Sequence, residues 1–108
     1  MISAIYNRNK HCLTIKGHAY SAEYGHDLVC ASASMLTYTL ASFVGNMLTA
    51  GQLKKHVIRL EDGNAEVSCK ADTQHDAAIT LVFDSICAGL ELLAREYPDH
   101  IKYEIKHK

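Results

Sequence analysis

The stretch KKHVIRLEDGNAEVSCK, residues 54–70, decides the fold. Ala65, Val67 and Cys69 alternate with Glu66, Ser68 and Lys70, the two-residue period of a strand with one buried face. Asp62-Gly63 or Gly63-Asn64 supplies a tight turn before them, so the stretch reads as a β-hairpin with Cys69 toward a core.

Working outward, ISAIYNRNKHCLTIKGH (2–18) reads as two further short strands around a polar turn at Asn7 to Lys10. Leu13 and Ile15 alternate with Cys12 and Thr14, which places Cys12 on the opposite face. A polar loop containing Gly25 leads to Asp27, read as the N-cap of a helix running to about Thr49 with Gly51 as its stop. Beyond the hairpin a second helix begins near Thr73, with Thr73 and Asp76 at capping-box-like spacing. Its apolar stripe is Ile79, Val82, Phe83, Ile86, Leu90 and Leu93, and Tyr97-Pro98 closes it. HIKYEIKH (100–107) alternates as a last strand. The expectation is a small single α+β domain, residues 1–108, in the order β-β-α-β-β-α-β. A largely antiparallel sheet would pack against two helices.

At 108 residues one core is the default, and 48% apolar with 21% charged residues is globular composition rather than disorder. A net charge of −1 gives no electrostatic reason to expect direct nucleic-acid binding or attachment to an anionic membrane. Lys102, Lys106 and Lys108 read as a solvated strand edge. Leu28 to Leu53 contains no charge, yet Ser32, Ser34, Thr37, Thr39, Ser42, Asn46 and Thr49 interrupt it, favouring a helix buried against protein over a membrane span. MISAIYNRNK lacks the pattern of a secretory signal, so a cytoplasmic location with reduced cysteines is expected.

The reactive residues gather in GHAYSAEYGHDLVCASASML (17–36). With Asp27 as N-cap, Cys30 falls in the first helical turn, where partial positive charge and unpaired amides stabilise a thiolate. Position alone leaves Cys30 evenly divided between that role and simple packing. His18, at a strand end, can reach a helix start, which is how a thiol and its base meet. Asp27 is either the cap or a third member orienting His18. Ser34 lies one turn beyond Cys30, able to bond a bound peptide or a helix carbonyl. A rival set of metal ligands, His18, His26 and Cys30, lacks any paired zinc spacing.

Taken together, Gly17-His18-Ala19, Tyr24-Gly25, Asp27-Leu28-Val29-Cys30-Ala31 and Ser34 resemble the ribosomal-processing cysteine protease family, Prp, and the resemblance extends over essentially the whole chain. It implies homodimeric endopeptidases that remove an N-terminal extension from the large-subunit ribosomal protein L-twenty-seven in bacteria such as the Firmicutes. Cleavage would follow an aromatic residue within a short hydrophobic motif. Cys30 would be the nucleophile and His18 the general base, with Asp27, Ser34, Gly17 and Gly25 supporting, and no cofactor or metal. The glycine-bounded loop from Ala19 to His26 would order over substrate. His26 takes no role from the resemblance. Two other readings stand beside it: a non-catalytic ribosome-associated peptide-binding module, and the metal-binding domain.

Overall fold

The structure is a computed structural model describing residues 1–18 and 24–107, without the side chains of residues 24–27. Five strands and two long helices follow in the expected order: β1 (Ile2–Asn7), β2 (Cys12–Lys16), α1 (Tyr24–Thr49), β3 (Leu53–Glu61), β4 (Asn64–Ala71), α2 (Asp76–Glu96) and β5 (Ile101–Lys106). They form one small domain whose sheet has the order β3-β4-β2-β1-β5. The β1–β2, β2–β4 and β3–β4 pairs are antiparallel, and β5 joins β1 in parallel, making the sheet mixed.

One sheet face carries the core. Ile2, Ala4 and Tyr6 of β1, Leu13 of β2, Val67, Cys69 and Ala71 of β4, and Ile101 of β5 are buried, each strand obeying its period of two. Both helices lie on that face. Helix α1 buries Val29, Ala33, Thr37, Leu40, Ala41, Val44 and Met47, and α2 buries Ile79, Phe83, Cys87 and Leu90. Burial of this core is the main force holding the domain together, at about 25 cal/mol per Å² of apolar surface removed from water. The helices also touch each other, and a side chain at Gly89 would come within 2.9 Å of Leu36 Cδ2. By length and hydropathy both could cross a membrane, but here each lays an apolar face on the sheet.

The hairpin turn resolves to Asp62-Gly63, with Gly63 at φ +71°. Gly51, at φ +73°, ends α1 by donating to Leu48 O while Gln52 N–H reaches back to Met47 O, a Schellman closure. Lys102 and Lys106 are exposed on β5, an outer strand of the sheet, as the edge reading required.

Two helix starts differ from expectation. Helix α1 begins at Tyr24, so Asp27 lies inside its first turn rather than capping it. Helix α2 opens through a 3-10 turn, Thr73–His75, in which Thr73 offers its backbone carbonyl to the Asp76 amide; no side chain caps that turn or α2 itself. Local capping propensity therefore gave way to tertiary packing at the start of α2.

Candidate active site

Strand pairing assembles the site at one end of the sheet. Lys16, the last residue of β2, pairs with Ser3 on one side and with Asn64 on the other. The residues that follow Lys16 therefore emerge between the start of β1 and the β3–β4 turn. Gly17 takes φ +92°, and a Cβ there would strike the carbonyl oxygen of Met1, so dihedral and space both demand glycine. Its N–H donates to Gly63 O at 2.9 Å, and the Met1 amino group donates to His18 O. The His18 backbone is thereby tied to both neighbours. Its imidazole is 33% exposed, with Nε2 at 3.7 Å from Asp62 Oδ1.

Helix α1 supplies the facing wall. Cys30, Ala33, Ser34, Thr37 and Tyr38 line one cavity at i, i+3, i+4, i+7 and i+8 spacing, the signature of a single helical face. The Thr37 hydroxyl donates to Ala33 O at 2.8 Å, leaving the buried helix wall without a competing donor at that position. His18 and Gly17 line the same cavity from the strand side, with Ile2, Ile15, Leu60, Asp62, Gly63 and Asn64 around them. Its volume is about 320 Å³, within the range of ligand sites. The structure thus brings His18, Cys30, Ser34 and Gly17 together. Gly25 lies in the first turn of α1, and the side chain of Asp27 lies outside the described residues, as does that of His26. Of the expected loop Ala19–His26, residues 24–26 are helical and the remainder lies outside the described residues.

Cys30 sits at the seventh position of α1, so it misses the first turn where the helix dipole acts most strongly. Its side chain still leans back toward the helix start, because the Cα–Cβ bonds of a helix tilt toward its N-terminus. The imidazole of His18 lines the same cavity from the strand side.

The other thiols have different surroundings. Burial pushes Cys69 up to about 11 and Cys87 up to about 12, and raises Cys12 as well. Cys30 is half-buried and is the one cysteine on the cavity that His18 lines. Among the described residues there is no cluster of three or more His, Cys, Asp or Glu able to hold a metal, and His26, needed for the metal reading, lies outside them.

A profile of the cysteine protease Prp family matches residues 1–102. The chain belongs to the cysteine protease Prp family. It is 30% identical over 92 residues to the ribosomal processing cysteine protease Prp of Staphylococcus aureus, covering 83% of this chain and 81% of that protein. A crystal structure of a Streptococcus mutans protein is similar at a TM-score of 0.74 and 26% identity, covering 100% of this chain and 96% of that one. The structure of the essential Prp of S. aureus, holding a covalently linked product peptide, is similar at a TM-score of 0.70 and 27% identity. That match covers 98% of this chain and 100% of the other. Family membership makes the chain a cysteine-type peptidase.

Sequence reasoning missed Tyr38, Leu60, Asp62, Gly63 and Asn64 as members of the site. Tyr38 carried a signal, being two turns beyond Cys30 on its face. The turn residues carried none near His18, because only the β2–β4 register brings them there.

Proposed function

We propose that this chain is a cytoplasmic, homodimeric endopeptidase that removes the N-terminal extension of the ribosomal protein L-twenty-seven precursor, with Cys30 as nucleophile and His18 as base. One observation carries the reading: a strand-end histidine and a helix cysteine line a single cavity. The name of the S. aureus relative, a ribosomal processing protease, supports the substrate. Exposed Leu28, Met35, Tyr38 and Leu92 on the helices support a second copy.

His18 takes the Cys30 thiol proton, and the sulfur attacks the scissile carbonyl carbon. The tetrahedral adduct collapses as the imidazolium returns that proton to the departing amine, leaving a thioester on Cys30. Water, deprotonated by His18, then attacks the thioester; the carboxylate product leaves and the thiol reforms. Amides of the first turn of α1, which have no partner within the helix, lie on the side toward which Cys30 leans and are suited to the oxyanion. The apolar part of the cavity, from Ile2, Ile15, Ala33 and Leu60, suits a large hydrophobic side chain beside the scissile bond. Asp27 and Ser34 support the site as the family motif implies.

Incubating the extended precursor with the protein, followed by mass spectrometry, tests this. Wild type should release the extension, whereas Cys30→Ala should fold and release none; processing by Cys30→Ala would defeat the reading. Tight binding of the precursor without turnover by wild type would favour the non-catalytic module instead.

A further inference from the structure

The β3–β4 turn lies far from His18 in sequence and against it in space. A side chain at Gly63 would overlap His18 Nε2 and come within 3.0 Å of Cδ2 and 3.2 Å of Cε1. Carbon atoms in favourable contact sit about 3.5–4.0 Å apart, so the ring occupies the space that Gly63 leaves empty. The same glycine accepts the Gly17 N–H at 2.9 Å, fixing the backbone that leads into the imidazole. Its neighbour Asp62 faces Nε2 at 3.7 Å.

We propose that the Asp62-Gly63 turn is the seat of the catalytic imidazole, with Gly63 a positioning residue for His18 and Asp62 the carboxylate that selects its tautomer. The assignment rests on the protease reading of the same cavity. Turn glycines are ordinarily explained by dihedral alone, and Gly63 at φ +71° meets that need. The ring contact adds a second requirement, for space. A negative group opposite Nε2 favours the proton on that nitrogen. At 3.7 Å the contact is longer than a direct hydrogen bond, and Asp62 is 97% exposed, so its influence is screened and modest. Packing against Gly63 is the stronger constraint. A side chain there would displace the imidazole, which ends a side chain with two rotatable bonds, rather than the backbone. Catalysis would suffer while the fold survives.

Gly63→Asn separates the two requirements, because asparagine accepts the left-handed dihedral yet carries a Cβ. Gly51→Asn is the control: it shares φ +73° and has no neighbouring atom within 4 Å of the added carbon. With a peptide substrate, Gly63→Asn should lower kcat by about 10²-fold, the scale of a misplaced catalytic group, with KM little changed. Its urea midpoint should stay near that of Gly51→Asn, and Gly51→Asn should keep wild-type kcat. Asp62→Asn should lower kcat by no more than about fivefold, as expected of an exposed charge. Nitrogen-15 NMR of wild type should show His18 protonated at Nε2, with nuclear Overhauser contacts from its ring protons to the Gly63 α-protons. Gly63→Asn with wild-type kcat, or a wild-type ring without those contacts, overturns the seat; a neutral ring protonated at Nδ1 overturns the role of Asp62. The NMR readouts need no turnover, so a wild type that cleaves no peptide would refute the protease reading while these contacts still decide the seat.

Discussion

The two ends of β1 lead to opposite kinds of polar chemistry. At the far end Tyr6 donates to Asp84 Oδ1 at 2.8 Å, and Arg8 grips the same carboxylate through Nε and Nη2 at 3.1–3.3 Å. Beside them His11 Nε2 meets Thr80 Oγ1 at 2.6 Å, its ring packed against Phe83. These groups satisfy one another. Arg8 holds the Asp84 carboxyl below the usual carboxylate range, burial keeps the His11 imidazole below its usual value, and burial raises the Tyr6 phenol. At the near end, by contrast, the backbone leading into His18 is tied to the β3–β4 turn, and His18 opens with Cys30 onto a cavity. One end of the strand thus closes on itself through polar side chains, while the other opens onto a cavity.

The sharpest way to break this contrast is His18→Ala. It should lower turnover by about 10²–10⁴-fold, the span of general-base catalysis, while the urea midpoint moves little; steady-state kinetics beside equilibrium unfolding checks both. Phe83→Ala should do the reverse. A cavity in the fully buried centre should cost about 3–5 kcal/mol in urea unfolding, with Cys30 still reactive wherever the domain remains folded. Thiol labelling sharpens the comparison further. In the native protein at neutral pH, iodoacetamide should modify Cys30 well before Cys69 and Cys87, whose burial both shields them and disfavours their thiolates; peptide mapping would show the order.

The smallest effect belongs to the far-end network. Asp84 is depressed in the folded state, so its contribution is fully present above its ordinary value of 3.8 and is lost as pH falls through the folded value. Asp84→Asn should therefore lower the urea midpoint slightly at pH 6 and converge on wild type in strong acid. Equal differences at both pH values would mean that the pair contributes nothing through ionisation.

Much of this was legible from residues alone, and the reason differs by element. Alternation in 65–70 and the Asp62-Gly63 turn specify the hairpin locally, so its strands appear where expected. His18 and Cys30 could be paired because a strand end and a helix separated by a short loop have few ways to lie apart. The parallel β1–β5 pairing was not legible, since neither strand records which edge its partner will take. Nor was the start of α1, because Tyr24-Gly25-His26 carries weak helix propensity and forms helix only in its tertiary setting. The share of the hairpin turn in the site was hidden for the same reason, being a product of register.

The parallel pair also sets a timetable. Ile2 lines the cavity and stands opposite Ile101, a partner nearly the whole sequence away. Closing such a pair carries a large loop-entropy cost before any contact rewards it, which slows folding. During synthesis the hairpins and helices can form while β1 still waits for its outer neighbour. The outer strand therefore joins last, and every element that lines the cavity can be in place before the sheet is complete.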